Sequence, residues 1–292
     1  MKNKLQSFFA NNFLSRRWQK RLLKPVIPKM ASISVMGGEA KIFYSPGAMK
    51  GPSFDISNKK EKGYLTYEQQ SKNALLAKLP KNCVLYDAGA NIGLFSTYIG
   101  IKRKDISIYS FEPEALAFEC LKNSVESIDN KNISVHNFAL GQENKTMELH
   151  KSPTNDGGHT LVPARSSFSE KDRAIDSIEL KNIQELIDLG KIPSPDALKI
   201  DVEGFENEVL LSLVSLLRKL KPIMLIELNN QEIANQGVTF QTLKEIYSND
   251  NNIRFDVPEF KCTAQNIDDL SSVANKFRKD GHLLCNYLFY KA

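Results

Sequence analysis

The feature of this sequence that most constrains its fold is a regular alternation of short apolar segments with amphipathic segments, which begins at residue 83. The apolar segments are rich in β-branched and aromatic residues, a composition that is typical of strands. Continuous apolar strands that alternate with helices indicate a mainly parallel sheet covered by helices on both faces. We therefore predict an α/β fold with a doubly wound sheet. The predicted strands are 83–88, 106–111, 133–140, 197–202, 223–228 and 286–290, and the predicted helices are 92–101, 114–128, 206–220 and 240–247.

The alternation is interrupted by an insert at 141–196, between the third and fourth predicted strands. The insert contains a polar loop at 151–172 that is rich in Gly and Ser. Loops of this length in compact domains are commonly binding loops or lids. We therefore expect one main domain at 61–292 that carries the insert, preceded by a basic N-terminal extension at 1–60.

Charge is distributed unevenly along the chain. The net charge is +5, but residues 1–30 contain eight basic side chains and no acidic one. The rest of the chain carries 31 basic and 34 acidic side chains, which disfavours a nucleic-acid-binding surface on the main domain. Residues 5–23 predict a basic, loosely amphipathic helix. This helix would either pack on the domain or a partner, or lie on an anionic membrane surface.

Two observations bear on the cellular location. No apolar run approaches the roughly 18 to 20 residues that a membrane span requires. The cysteines form no CxxC pair and no zinc-ligand spacing, which is typical of buried, reduced thiols. We therefore expect a cytoplasmic protein, peripheral at the membrane if residues 5–23 bind there. The four cysteines are Cys83, Cys120, Cys262 and Cys285.

The first predicted strand ends in the turn Asp-Ala-Gly-Ala-Asn-Ile-Gly, at 87–93. Gly89 allows a tight bend, and Gly93 lets a helix approach closely. The middle glycine of the dinucleotide fingerprint, which lets a pyrophosphate rest against the backbone, is missing. The turn therefore disfavours NAD and FAD, and the acidic Asp87 disfavours a bound phosphate.

A second signal lies at the end of the next predicted strand, in the segment Phe-Glu-Pro. Glu112 lies 25 residues after Asp87, about where a carboxylate accepts hydrogen bonds from an adenosine ribose. An adenosine site without a pyrophosphate site points to S-adenosylmethionine. The alternative is an ordinary strand-turn-helix unit in which Asp87 is only a cap.

Acidic residues also follow the fourth and fifth predicted strands. Asp201 and Glu203 lie where the segment Leu-Lys-Ile-Asp-Val-Glu-Gly leaves the sheet, and Glu227 ends the next strand. The carboxyl ends of parallel strands meet at one edge, so these residues would face the same crevice as the glycine turn. They could act as a general base, hold a hydroxyl, bind a divalent cation or cap a helix. The spacing does not require a cation, and we predict no metal site.

In this order and at these separations, the segments DAGANIG, FEP, LKIDVEGFE and LIEL resemble the FkbM-type S-adenosylmethionine-dependent methyltransferases, over residues 64–262. The resemblance implies a Rossmann-like, seven-stranded class I methyltransferase sheet of order 3-2-1-4-5-7-6 with an antiparallel seventh strand. It implies O-methylation of a hydroxyl on a sugar, polysaccharide, glycolipid or natural-product acceptor. The cofactor-binding residues it implies are Asp87, Gly89, Asn91 and Gly93 for the methionine part, Glu112 for the ribose and Asn137 along the adenine.

Methyl transfer to a hydroxyl needs a group that accepts the hydroxyl proton. Asp201 is the first candidate, Glu203 lies beside it, and His159, in the loop Asn-Asp-Gly-Gly-His, is the alternative base. Two other functions stay open: a nicotinamide-dependent oxidoreductase, and a methyltransferase-like adaptor without activity. The expected partner is a small-molecule or glycan acceptor, with no nucleic acid, and no motif bears on the oligomeric state.

Overall fold

The computed structural model describes residues 29–162, 174–247, 250 and 252–292. The helix predicted at 5–23 lies outside the described residues, as does the last part of the polar loop of the insert. Among the described residues, no helix has the combination of length and apolar character that crossing a membrane would need.

The described residues form thirteen strands and eleven helices, besides short 3-10 turns. The strands are β1 Ala31–Val35, β2 Ala40–Tyr44, β3 Val84–Ala88, β4 Ser107–Phe111, β5 Ile133–His136, β6 Ala139–Gly141, β7 Lys145–Lys151, β8 Ala174–Asn182, β9 Ala197–Ile200, β10 Ile223–Asn229, β11 Ile253–Val257, β12 Cys262–Ala264 and β13 Leu284–Lys291. The helices are α1 Pro52–Lys59, α2 Glu61–Thr66, α3 Gln69–Lys78, α4 Leu94–Lys102, α5 Ala115–Glu126, α6 Ile183–Asp188, α7 Glu206–Ser212, α8 Val214–Leu220, α9 Asn230–Ala234, α10 Val238–Tyr247 and α11 Asp269–Lys279.

Eight strands form the central sheet, in the order β12-β11-β13-β10-β9-β3-β4-β5. The strands from β10 to β5 are parallel, whereas β13 runs antiparallel to both β10 and β11. This confirms the doubly wound fold and the order 3-2-1-4-5-7-6 with an antiparallel last strand. The three-residue strand β12 adds an eighth strand at the edge, next to β11. Because the strand order reverses between β3 and β9, a crevice is expected at their carboxyl ends.

Three details of the sheet differ from the sequence-based expectation. The predicted strand 133–140 is divided, because its last residues leave the central sheet and form β6 in a second sheet. The predicted strand 197–202 ends earlier, so Asp201 already belongs to the loop that follows β9. The strand β11 was not predicted, because its five residues alternate apolar and polar side chains instead of forming a continuous apolar run.

The hairpin of β1 and β2 packs on helix α5. The backbone N–H groups of Lys41 and Phe43 donate to the hydroxyls of Ser127 and Ser124 at 2.8 and 2.9 Å. Between them, Ile42 is fully buried, and burial of such a side chain contributes roughly 1.5–3 kcal/mol. The hairpin therefore belongs to the same hydrophobic core as one face of the central sheet, the face that carries Leu85 and Ile108.

The insert forms a three-stranded sheet of its own, in the order β6-β8-β7. Leu149 and Ile178 of this sheet pack with Phe205, which precedes α7. This packing places the loop after β7 across the carboxyl ends of the central strands. There the backbone N–H of Lys50 donates to the carbonyl of Thr154 at 2.9 Å. The insert and the segment before α1 thus cover the crevice together.

Candidate active site

A cleft lies at the carboxyl ends of β3, β4, β9 and β10. Its empty space, open mouth included, is about 860 Å³. The sheet and its loops form one side, and Pro52 and Gly157 belong to the cover described above. Seven of the ten candidate residues from the sequence line this cleft: Gly89, Asn91, Glu112, His159, Asp201, Glu203 and Glu227.

The bend after β3 is fixed by a close contact with the loop after β9. Gly89 has a φ of +77°, and a Cβ atom at this position would lie 1.8 Å from the carbonyl oxygen of Asp201. The backbone N–H groups of Gly89 and Ala90 both donate to the carbonyl of Phe111 at 3.0 Å. A glycine is therefore required here, because any side chain would push the turn after β3 away from Asp201.

Two further residues of the turn contact different parts of the fold, Asn91 the insert and Gly93 helix α5. Asn91 has a φ of +50°, and its side-chain amide donates to the backbone carbonyl of Asp156 in the insert at 2.8 Å. Gly93 lies behind the cleft, where a Cβ atom would come within 2.8 Å of Leu121 in α5. Gly93 thus permits close packing of α5, while Asn91 joins the turn to the insert.

The carboxylate of Glu112 is buried at the end of β4 and is oriented by the backbone. One oxygen accepts a hydrogen bond from the N–H of Glu114, and the other accepts from the N–H of Asn91, each at 2.8 Å. Burial raises the pKa of Glu112 to about 7, and these two hydrogen bonds oppose the increase. The group is therefore positioned before any ligand binds, and it titrates near neutral pH.

Asn137 supports Glu112 instead of lining the cleft. Its side-chain amide donates to the carbonyls of Glu112 and Pro113 at 2.9 and 3.1 Å. Next to it, the ring of His136 stacks on Phe111, with the ring centroids 5.1 Å apart. The contact with adenine that the family resemblance implies for Asn137 stays a prediction.

Asp87 lies beneath the turn and is almost fully buried. One oxygen accepts a hydrogen bond from the hydroxyl of Ser96 at 2.5 Å, and the other lies 3.5 Å from the ammonium of Lys199. Asp87 is not among the residues that line the cleft. Direct contact between Asp87 and the methionine part of a cofactor therefore stays a prediction that this orientation does not favour.

The opposite side of the cleft carries four carboxylates, those of Glu68, Asp201, Glu203 and Glu227. Burial and then the nearby charge of Asp201 raise the pKa of Glu68 to about 7. Burial, followed by the charges of Asp201 and Glu203, holds the pKa of Glu227 well above its ordinary value. These shifts indicate that ionising Glu68 and Glu227 beside their acidic neighbours is unfavourable at neutral pH.

Three of these carboxylates are close enough together to hold a divalent cation. Ligand oxygens of Asp201, Glu203 and Glu227 all lie within 4.8 Å of one another, and such oxygens are the ligands that Mg²⁺ and Ca²⁺ prefer. An acidic cluster alone does not establish a metal centre, so the expectation of no metal stays a prediction.

His159 faces the cleft as a hydrogen-bond donor. Its Nδ1 accepts the backbone N–H of Ser152 at 3.0 Å, and burial lowers its pKa. A neutral imidazole whose Nδ1 is an acceptor carries its proton on Nε2. His159 is therefore poorly suited to accept a proton, and Asp201 is the better base of the two.

Two functional candidates were missed by sequence reasoning. Glu68 precedes α3 with a φ of +44°, and no glycine marks this bend. Asp156 lies in the insert, where one carboxylate oxygen accepts the N–H of Ser53 at 3.1 Å, and the other is buried with no hydrogen-bond partner in the described part of the chain. The turn signal Asn-Asp-Gly-Gly at 155–158 could have drawn attention to Asp156.

Comparison with known proteins gives matches to methyltransferases. The family model described as methyltransferase FkbM domain matches residues 87–254. Methyltransferase sdnD of Sordaria araneosa is 31% identical over 161 residues, which cover 46% of this chain and 62% of the relative. Hexuronic acid methyltransferase AglP of Haloferax volcanii is 28% identical over 151 residues, which cover 52% and 58%. The chain thus spans about three fifths of the length of these curated relatives.

Among solved structures, methyltransferase FkbM from Methylobacillus flagellatus shares 18% identity at a TM-score of 0.42 and covers 71% of this chain and 43% of that one. That likeness is too distant to bear on the site. The family match is stronger, because it extends over more than half of the chain and includes every sequence-predicted site residue. This chain belongs to the methyltransferase FkbM domain family.

Proposed function

We propose that the chain is an S-adenosylmethionine-dependent O-methyltransferase that acts in the cytoplasm on a hydroxyl of a sugar, polysaccharide, glycolipid or natural product. The name of the relative AglP, a hexuronic acid methyltransferase, supports a sugar among these acceptors. The observation that carries the cofactor assignment is the oriented carboxylate of Glu112, next to a turn that suits no pyrophosphate.

The hydrogen bonds of Glu112 fit an adenosine ribose. An ionised carboxylate offers about four acceptor positions, and two are taken by the N–H groups of Asn91 and Glu114. The two others can accept a pair of neighbouring hydroxyls. Because the backbone already fixes the carboxylate, little conformational freedom is lost when such a ligand binds.

Asp156 fits a ligand that carries a hydrogen-bond donor. Its second carboxylate oxygen is buried without a hydrogen-bond partner among the described residues, and Asp156 lines the cleft beside Asn91. A buried acceptor without a donor is unfavourable. The ammonium group of a methionine moiety would supply the donor. Glu112 would then bind the ribose and Asp156 the amino acid end of the same ligand.

S-Adenosylmethionine, when bound, supplies an electrophilic methyl group for in-line displacement. We assign Asp201 as the base that takes the proton from the acceptor hydroxyl as the new oxygen–carbon bond forms. General-base assistance of this kind contributes about 10²- to 10⁴-fold. His159 can donate through Nε2 to an acceptor oxygen and so hold the acceptor in place. The cover formed by Pro52 and Gly157 would limit the access of water.

Calorimetric titration of the full chain with S-adenosylhomocysteine and with NADH tests the cofactor assignment. We expect micromolar binding of S-adenosylhomocysteine and none of NADH. The reverse result would favour the oxidoreductase, and binding of a protein partner without either ligand would favour the adaptor. Transfer of labelled methyl groups to a panel of glycans and lipid-linked sugars would then identify the acceptor.

A further inference from the structure

Lys199 on β9 is a buried lysine that the proposed reaction leaves without a role. It is 4% exposed, and lysines are rarely buried to this extent unless they are paired. Its ammonium donates to the carbonyl of Gly89 at 2.9 Å. It also lies 3.5 Å from a carboxylate oxygen of Asp87 and 3.3 Å from one of Asp201. A single cation thus contacts the cofactor turn, the residue beneath it and the proposed base.

The ammonium stays charged in this environment. Burial alone would lower the pKa of Lys199, but the carboxylates of Asp201, Asp87 and Glu68 outweigh this effect and raise it. The charge matters to the shape of the site, because the carbonyl of Gly89 and the carboxylate of Asp87 are both held by it. Charge-assisted contacts of this kind are stronger than neutral hydrogen bonds.

We propose that Lys199 is a positioning residue that joins the cofactor turn at Gly89 to the loop carrying Asp201, with Asp87 as its buried counter-ion. The inference rests on the proposed function, since it concerns the same cofactor site. It also gives Asp87 a role that needs no contact with the cofactor. Asp87 acts from beneath the turn, by holding the ammonium against the carbonyl of Gly89.

The two carboxylates depend on Lys199 to different extents. Asp87 is 1% exposed, and the oxygen that faces Lys199 accepts no hydrogen bond from any residue that the structure describes. The side chain of Asp201 is 21% exposed, so water in the cleft can hydrate it. Loss of the ammonium should therefore leave an unpaired buried charge at Asp87, whereas water can still hydrate Asp201. An unpaired charge in the interior is strongly unfavourable.

The test is a charge-balance series in the full chain, with the affinity for S-adenosylhomocysteine measured by calorimetry. Lys199→Met should weaken binding by about tenfold or more. Adding Asp87→Asn should restore the stability to urea but not the affinity, because no buried charge is left unpaired while the carbonyl of Gly89 still lacks the ammonium. Adding Asp201→Asn instead should restore little. Circular dichroism and urea unfolding check the folding of each variant.

Lys72→Met is the matched control. Lys72 is also fully buried, and its ammonium donates to the carbonyl of Tyr64 at 2.6 Å, away from the glycine turn. This variant should be destabilised and should bind S-adenosylhomocysteine as the wild-type chain does. If both lysine variants lose affinity equally, or Lys199→Met binds within about twofold of wild type, the proposal is overturned.

The double variant keeps the test decisive if Lys199→Met does not fold. In Lys199→Met/Asp87→Asn, restored folding with an affinity still about tenfold below wild type would support the proposal, and an affinity within about threefold of wild type would overturn it. If Asp87 instead contacts the cofactor, the double variant should bind more weakly than Lys199→Met. Absence of binding by the wild-type chain would refute the proposed function itself, and the role of Lys199 would fall with it.

Discussion

The two sides of the cleft differ in how they treat charge. On the turn side, formed by Gly89, Asn91 and Glu112, the one carboxylate is held by two backbone N–H groups. On the acidic side, formed by Glu68, Asp201, Glu203 and Glu227, carboxylates face one another, and burial together with the charge of Asp201 raises the pKa of Glu68 and of Glu227. We propose that the turn side binds the cofactor and that the acidic side exchanges protons.

Physical chemistry explains why the two tasks need different surroundings. Binding benefits from groups that are oriented in advance, because their ordering cost is met during folding. Proton transfer benefits from a carboxylate whose pKa is moved towards neutrality by burial and by like charges. Substitutions on the turn side should therefore change affinity, and substitutions on the acidic side should change turnover.

The largest effect is expected for Asp201→Asn. The amide cannot accept the hydroxyl proton, so turnover should fall by about 10²- to 10⁴-fold. The affinity for S-adenosylhomocysteine should change little. Labelled methyl transfer to the identified acceptor, together with calorimetry, measures both quantities. Glu208→Gln, on α7 outside the cleft, is the control and should keep both. Unchanged turnover in Asp201→Asn would remove Asp201 from the mechanism.

Glu112→Gln should have the next largest effect. The amide nitrogen cannot accept the N–H groups that the carboxylate accepts now, and a lost or unsatisfied buried hydrogen bond costs about 1–3 kcal/mol. Affinity for S-adenosylhomocysteine should fall by about 10- to 100-fold.

The control for that substitution is Glu114→Gln. Glu114 is also buried, but it caps α5 by accepting the N–H of Ala117 at 2.6 Å and pairs with Lys151. Its replacement should lower the urea midpoint and leave the affinity nearly unchanged. Equal losses of affinity in both variants would contradict the assignment of Glu112 to the ribose.

The affinity for S-adenosylhomocysteine should depend on pH. Ribose hydroxyls donate to the ionised form of Glu112, whose pKa in the free protein is about 7. Protonation removes that acceptor, so affinity should fall as the pH drops through 7, by about tenfold between pH 8 and pH 6. Glu112→Gln should lose this dependence, whereas Glu68→Gln should keep it. A flat profile for the wild-type chain would show that ionised Glu112 is not needed.

The smallest effect is expected for His159→Ala. Because Nδ1 already accepts the N–H of Ser152, the imidazole can only donate into the cleft. Removal of the imidazole should lower turnover by about tenfold or less, because one hydrogen bond contributes about 0.5–1.5 kcal/mol. A loss as large as that of Asp201→Asn, together with loss of the acidic limb of the pH–rate profile, would instead identify His159 as the base.

The turn side could be predicted from the sequence, and the acidic side only in part. Gly89, Asn91 and Glu112 follow from local rules, since each lies at a fixed spacing from a strand end. Asp201 and Glu203 were found in the same way. Glu68 was missed because it reaches the cleft from a bend between two short helices, in a left-handed conformation without a glycine.

Asp156 and the part played by Lys199 depend on contacts between distant segments. Asp156 meets Asn91 across 65 residues of chain, and Lys199 meets Gly89 across 110. Spacing along the sequence carries no information on such pairs. The strands β11 and β12 were missed for a related reason, because short segments without a continuous apolar run acquire their structure from the neighbouring strand.

A crystal structure of the chain with S-adenosylhomocysteine is the most direct test of the binding assignment. We expect the ribose hydroxyls on the carboxylate of Glu112 and the amino acid part along the turn at Gly89 and Asn91. Density for the nucleoside elsewhere, or no binding at millimolar concentration, would contradict the proposed function.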